Sequence, residues 1–162
     1  MPIPQPRDGL ASLRLVLLTF VSSDVLFGYV LFVITMNGTQ GDPGLWPWLA
    51  AGVGLAALIC VQWALHRKLE VSSPAACAAS YRTNWFMGVA FANIAALFGF
   101  VGAFVTQLLW IYGIGLAFAL VGFAMVAPTD AAIQRKDDQL AAMGVPYSLR
   151  DALRGAPPRR PD

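Results

Sequence analysis

Charged side chains are scarce in this sequence, and histidine and cysteine are scarcer still. Only 12% of the 162 residues are Asp, Glu, Lys or Arg, the sole histidine is His66, and the two cysteines are Cys60 and Cys77. One histidine without a neighbouring cluster of cysteines or carboxylates provides no metal-ligand set, and the serines have no paired histidine for nucleophilic catalysis. The sequence therefore predicts a non-enzymatic protein with no catalytic residues, no metal and no cofactor.

Apolar residues dominate instead, at 57% of the chain with a mean hydropathy of +0.62. About 20 apolar helical residues cross a bilayer core of roughly 30 Å. Four stretches qualify, at 13–36, 46–66, 83–106 and 108–127. Asp24 interrupts the first stretch and no A-x-A-like cleavage site follows, so we expect a membrane span there and not a signal peptide. The predicted fold is an all-α polytopic membrane four-helix bundle, a single domain over residues 1–127.

All eleven basic residues lie on one side of the four predicted spans. They are Arg7, Arg14, Arg67, Lys68, Arg82, Arg135, Lys136, Arg150, Arg154, Arg159 and Arg160. The positive-inside rule then predicts a multi-pass protein of the plasma (inner) membrane with cytoplasmic N- and C-termini. Trp46 and Trp110 fall at the outer interface and Trp85 near the inner one, as expected for aromatic belts. Basic residues that report topology in this way indicate no nucleic-acid partner, and Cys60 and Cys77 are expected to form no disulfide.

Short motifs recur between the two halves of the predicted bundle. Phe27-Gly28-Tyr29-Val30 is similar to Phe98-Gly99-Phe100-Val101, and Gly52-Val53-Gly54-Leu55-Ala56 is similar to Gly113-Ile114-Gly115-Leu116-Ala117. Two related hairpins that both start on the cytoplasmic side would be parallel repeats, unlike the inverted repeats of many transporters. The alternative is chance recurrence, because glycine and alanine are common wherever membrane helices pack.

Small residues follow helical spacing in two of the spans, which predicts faces where another helix approaches closely. The predicted packing residues are Gly88, Ala92, Ala96, Gly99 and Ala103 in the third span and Ala50 and Gly54 in the second. The neighbour is either another helix of this chain or a partner subunit.

Sequence signals also mark helices outside the spans. Ser73-Pro74 is typical of an N-cap followed by the first helical residue, so the third helix is expected to begin well before residue 83. Residues 128–155 are predicted to form a cytoplasmic helical segment, with a short amphipathic helix capped by Thr129 and ending at Gly144. Its apolar face packs on the bundle, on the membrane surface or on a partner. Residues 156–162 are predicted to be a disordered basic tail.

Asp24 is the one carboxylate inside a span, about 15 Å along the helix from Arg14. An ionised acid there costs roughly 2.5–3.5 kcal/mol on insertion scales, so Asp24 must be protonated, paired or hydrated. Asn93 lies at a comparable depth in the third span and is the expected hydrogen-bond partner, while Ser22 and Ser23 are further candidates. Either Asp24 exchanges protons at this site or it only hydrogen-bonds across the bundle.

The segment Asn93-Ile94-Ala95-Ala96-Leu97-Phe98-Gly99-Phe100-Val101 resembles the ion-carrying helix of the rotor-ring proteolipid subunits of rotary ATP synthases. In that family a Gly/Ala-rich helix, here Gly52-Val53-Gly54, a polar cytoplasmic loop and an acid-bearing helix follow one another. The family has a carboxylate where Asn93 stands, a shorter loop and no basic C-terminal extension. The resemblance implies a derived four-helix protein that has lost the exchange site in this hairpin.

Two functions follow from these patterns. The first is a non-enzymatic accessory or assembly subunit that lies in the lipid bilayer and contacts other membrane-protein subunits as a hetero- or homo-oligomer. The alternative is a proteolipid-like subunit that handles protons or cations, with Asp24 as the exchanging acid. A small-molecule transporter or a lipid-handling protein is disfavoured because the spans offer no further polar lining.

Overall fold

A computed structural model describes residues 9–36 and 38–154 of the chain, and the regular secondary structure in these ranges is entirely helical. Six helices follow in order: α1 Gly9–Thr35, α2 Trp46–His66, α3 Pro74–Thr106, α4 Leu109–Val126, α5 Asp130–Ala142 and α6 Leu149–Arg154. The predicted tail at 156–162 lies outside the described residues.

The first four helices are long and apolar enough to cross a membrane. At 1.5 Å per residue, α2 is about 32 Å long and α4 about 27 Å, close to the thickness of a bilayer core. The prediction of four membrane-length helices is therefore confirmed, with shifted bounds. Helix α1 begins at Gly9 instead of residue 13, and α4 covers 109–126 instead of 108–127.

Helix α3 is much longer than its apolar stretch because its cap lies at Ser73. The Ser73 side chain accepts a hydrogen bond from the backbone N–H of Ala76 at 3.1 Å, and Pro74 occupies the first turn. This is the start that the Ser-Pro pair predicts. At its other end α3 stops at Gln107, a non-glycine residue with a left-handed φ of 57°. Only Gln107 and Leu108 separate α3 from α4, so these two helices form a tight antiparallel hairpin.

Helices α3 and α4 form the centre of the bundle, and glycine determines how closely they approach. A Cβ atom built on Gly99 would lie 2.9 Å from the Gly115 Cα atom, and one built on Gly115 would collide with the Ala95 carbonyl oxygen. Towards the other end of α4, Gly122 lies against Ala92. Small residues thus let the two backbones touch. Dispersion forces between such closely packed helices stabilise the contact.

The remaining two spans pack on this central pair and not on each other. Helix α2 contacts α3 and α4, with Gly54 against the Phe118 ring, and α1 contacts α3 and α4. No Cα atoms of α1 and α2 lie within 8 Å of one another. The two predicted hairpins are therefore packed differently, since α3 and α4 touch each other whereas α1 and α2 do not.

A second, smaller core lies at the end of the bundle where α1 and α3 begin. Ile133 and Leu140 of α5 are buried there together with Leu10 and Cys77. Thr129 caps α5 by accepting from the backbone N–H of Ala132, as the sequence predicts. Of the three alternatives for the apolar face of α5, the structure shows packing on the chain itself. Met143, which follows the last residue of α5, is 64% exposed and takes no part in this core.

The end of the chain is also held by polar contacts. The Asp137 carboxylate accepts from the backbone N–H of Leu149 at the start of α6, and Lys136 donates to the Leu65 carbonyl at the end of α2. The Tyr147 hydroxyl donates to the Val71 carbonyl at 2.9 Å. Burial, with a smaller contribution from Cys77, raises the pKa of the Tyr147 phenol.

Candidate functional site

The candidate site is the buried carboxyl group of Asp24, and its height in the bundle follows from the contacts of α1 with the end of α4. The Arg14 guanidinium donates to the Pro128 carbonyl at 3.4 Å, so Arg14 is level with the end of α4. Asp24 comes ten residues later on α1, about 15 Å along the axis, whereas α4 is about 27 Å long. Asp24 therefore lies near the middle of the apolar bundle.

The Asp24 carboxyl group is enclosed and has no hydrogen-bond partner in the described part of the chain. The residue is 1% exposed, and within 9–36 and 38–153 it is the only Asp, Glu, Lys or Arg in the buried class. Neither of its two carboxylate oxygens has a partner among these residues. An ionised acid without donors at such a position carries a large desolvation penalty, so the geometry suits the protonated, neutral form.

Tyr112 of α4 fixes the backbone of α1 beside this carboxyl group. Its hydroxyl donates to the Asp24 backbone carbonyl, and the Tyr112 side chain is 3% exposed. One turn further along α1, Gly28 leaves room for the ring, since a Cβ atom there would lie 3.0 Å from the Tyr112 Cε1 atom. Gly28, one turn after Asp24, thus leaves space for one aromatic ring against α1.

Aromatic rings form a continuous apolar wall next to the acid. Phe27 lies 5.4 Å from Phe100 between ring centroids, and Phe100 meets Tyr112 edge to face at 6.3 Å. Such pairs contribute roughly 0.5–1.5 kcal/mol beyond their buried area. This wall joins α1, α3 and α4 at the level of the site.

The expected hydrogen bond between Asp24 and Asn93 is absent, so that prediction is wrong. Asn93 is half-buried, and its amide is no partner of the Asp24 oxygens. The position of a residue along its helix predicts its depth in the bundle but not which helix faces meet. The polar side chain that reaches Asp24 is Tyr112 of α4. Ser23 is half-buried and Ser22 is exposed, and neither hydroxyl bonds the carboxyl group.

Tyr112 was missed from the sequence because aromatic residues near a span end fit an interfacial belt equally well. The available signal was Gly28, which follows Asp24 by one turn and so leaves a gap on the same face of α1. A gap beside a buried acid can hold a large side chain with a polar end, and Tyr112 occupies this one.

The predicted small-residue packing positions all lie in the interior of the bundle. Buried residues include Gly88, Ala92, Ala96, Gly99 and Ala103 of α3 and Ala50 and Gly54 of α2. Their neighbours belong to this chain: Gly88 meets Val126, Gly99 meets Gly115 and Gly54 meets Phe118. These faces are thus occupied within the molecule, and surfaces for a partner must be sought elsewhere.

A charged cluster connects α1 to the C-terminal helices at the end of the bundle. Asp130 accepts from Arg14 at 3.3 Å and from Arg150 at 2.7 Å. The side chains of Arg14 and Arg150 remain 53% and 39% exposed. Two guanidinium groups therefore share one carboxylate at this point, which leaves one unit of positive charge.

The described residues contain no group of three or more His, Cys, Asp or Glu side chains placed to hold a metal ion. The buried carboxyl group of Asp24 can bind and release a proton.

No family model, curated protein or solved structure matches this chain. Functional inference therefore depends on the residues and their geometry alone.

Proposed function

We propose that this protein is a non-enzymatic accessory or assembly subunit of a larger membrane complex. The observation that carries the proposal is a pair of outward-facing glycines. A Cβ atom built on Gly52 or on Gly113 would meet no heavy atom within 4 Å, and Ala56 and Ala117, one turn further on, are exposed. Each helix therefore presents a small-xxx-small surface that the described residues leave uncovered.

The outward direction of these surfaces follows from their neighbours. Gly54 faces Phe118 of α4 and Gly115 faces α3, so Gly52 and Gly113, two residues earlier, point about 200° away from those contacts. Membrane helices have small residues where another helix approaches, because these residues let the two backbones pack closely. Two such surfaces on two helices suit a subunit with two neighbours, in a hetero- or homo-oligomer.

The proposed location is the plasma (inner) membrane with both termini in the cytoplasm. This orientation rests on the eleven basic residues, all of which lie on one side of the four spans. The C-terminal helices would then form a cytoplasmic layer next to the partner subunits.

A second candidate function is proton or cation handling with Asp24 as the exchanging acid. It is favoured by the burial of both carboxylate oxygens without a partner, because ionisable groups inside membranes are costly and usually functional.

Gly52→Leu and Gly113→Leu should each remove the protein from its complex while the monomer still folds. We expect wild-type protein, extracted in a gentle detergent, to migrate as an assembly larger than the 17.4 kDa chain and to lose at least about tenfold of that assembly in either variant. Native mass spectrometry of the extracted particle gives the measurement. Ala90→Leu is the matched control, because Ala90 is an exposed small residue of α3.

Extraction of wild-type protein as a lone monomer would contradict the assembly proposal, and so would equal losses in all three variants. Asp24→Asn separates the two candidate functions in reconstituted vesicles. An intact assembly that loses proton flux favours the carrier, whereas vesicles without flux in wild type and variant favour the assembly subunit.

A further inference from the structure

A groove runs between α1 and the junction of α4 with α5, at the charged end of the bundle. It has a volume of about 450 Å³, within the roughly 300–1,000 Å³ of typical small-molecule sites. Leu17, Leu18 and Val21 of α1 line one side, and Ala127 and Pro128 line the other. We call this feature the α1–α4 groove.

The α1–α4 groove opens at the level where the bundle changes from apolar to charged. Arg14 and Asp130 complete its lining at this end, and Val21 lies seven residues further on, about 10 Å deeper along α1. Leu18 is 62% exposed, so the groove is open sideways to the surface that faces lipid. An acyl chain lying along α1 can therefore enter it from the bilayer.

The charged end of the groove has a positive net charge and free N–H donors, and both favour binding of an anionic headgroup. Arg14 and Arg150 share the single carboxylate of Asp130, so the cluster keeps a net charge of +1. Arg14 uses its Nε to reach Pro128 and one N–H of Nη2 to reach Asp130. A guanidinium has five N–H donors, so three of them are left for a phosphate.

We propose that the α1–α4 groove binds one anionic phospholipid, with its phosphate on Arg14, the guanidinium that lines the groove, and an acyl chain along Leu17, Leu18 and Val21. The geometry is that of a basic pocket between membrane helices, which recognises anionic headgroups. The bound lipid would fill the space between α1 and the α4–α5 junction and so stabilise the position of α1. This site is independent of the assembly surfaces on α2 and α4.

Native mass spectrometry of the full chain, with phosphatidylglycerol or phosphatidylcholine added to the micelles, tests the site. The wild type should retain one phosphatidylglycerol molecule with about a fivefold preference or more over phosphatidylcholine, the contribution expected of one basic residue. Arg14→Gln should lower the preference to about one. Arg67→Gln should leave it unchanged, since Arg67 lies over the Trp63 ring away from the groove.

Leu18→Trp tests the apolar part without altering the ion pairs. It should abolish retention of both lipids, whereas Leu26→Trp, at a 58% exposed position of α1 outside the groove, should retain them. Retention by Leu18→Trp, or equal loss in Arg14→Gln and Arg67→Gln, would overturn the proposal. A photoreactive side chain at position 18 in native membranes should gain the mass of one phospholipid, and attachment to a protein would instead identify a partner helix as the occupant.

Discussion

Gly115→Ala should destabilise the folded bundle by about 3 kcal/mol, at the upper end of what overpacking a core costs. The added methyl group would collide with the Ala95 carbonyl oxygen and lie 2.9 Å from the Gly99 Cα atom. All these neighbouring atoms belong to the backbone of α3, so no side-chain rotation can make room. The two central helices would have to separate along the length of their contact.

Gly113→Ala is the matched control for this experiment. It introduces the same methyl group into the same helix two residues earlier, where nothing lies within 4 Å. We expect no loss of stability, and a gain of up to about 1 kcal/mol from the higher helix propensity of alanine. Unfolding in mixed micelles, followed by circular dichroism, measures both variants. Equal stability of the two variants would show that α3 and α4 do not touch at Gly99 and Gly115.

Asp24→Leu should stabilise the protein by about 2 kcal/mol, because a buried polar group without partners costs about 1–3 kcal/mol. Both carboxylate oxygens of Asp24 are buried and unpartnered among the described residues, so leucine removes a penalty and breaks no side-chain hydrogen bond. The Tyr112 bond is kept, since it goes to the backbone carbonyl. Asp24→Asn should change stability much less, because its amide would remain without partners.

Ser22→Leu is the control for added apolar surface on α1, since Ser22 is exposed. It should change the free energy of unfolding by no more than about 0.5 kcal/mol, as is usual for surface positions. The same unfolding measurement applies. Destabilisation by Asp24→Leu would mean that the carboxyl group has a partner in the folded protein. A stabilising substitution would indicate that the acid is kept for function, because structure alone gains nothing from it.

The number and approximate extent of the membrane helices could be predicted from the sequence, because apolar length and composition specify them locally. The caps at Ser73 and Thr129 were equally local signals, and each forms the predicted hydrogen bond. Helix starts in the absence of such a signal were less certain. Helix α1 already includes Gly9 and Leu10, ahead of its apolar stretch, and Leu10 packs in the second core.

Local sequence patterns could not specify which helices pack against each other. Asn93 and Asp24 share a depth, yet the contact at that level goes to Tyr112, since rotation of a helix about its axis is set by packing. The similar Phe-Gly motifs of α1 and α3 also pack differently, because Gly28 lies against the Tyr112 ring whereas Gly99 lies against the backbone of α4.

The small-residue motifs were informative in a different way. The second glycine of each Gly-x-Gly motif, Gly54 and Gly115, is buried against another helix, while the first, Gly52 and Gly113, faces open space. Sequence spacing places the two glycines of each motif on different faces, but only the fold identifies the uncovered one. The uncovered glycines, Gly52 and Gly113, are the ones that form the proposed assembly surfaces.

Every function proposed for this protein depends on four membrane crossings with the basic residues on the cytoplasmic side. Single cysteines replacing Asp42, between α1 and α2, and Lys68, between α2 and α3, test this directly in a background without Cys60 and Cys77. In intact cells a membrane-impermeant thiol reagent should label position 42 at once and position 68 only after permeabilisation. Labelling of position 68 in intact cells, or equal labelling of both positions, would contradict the proposed arrangement.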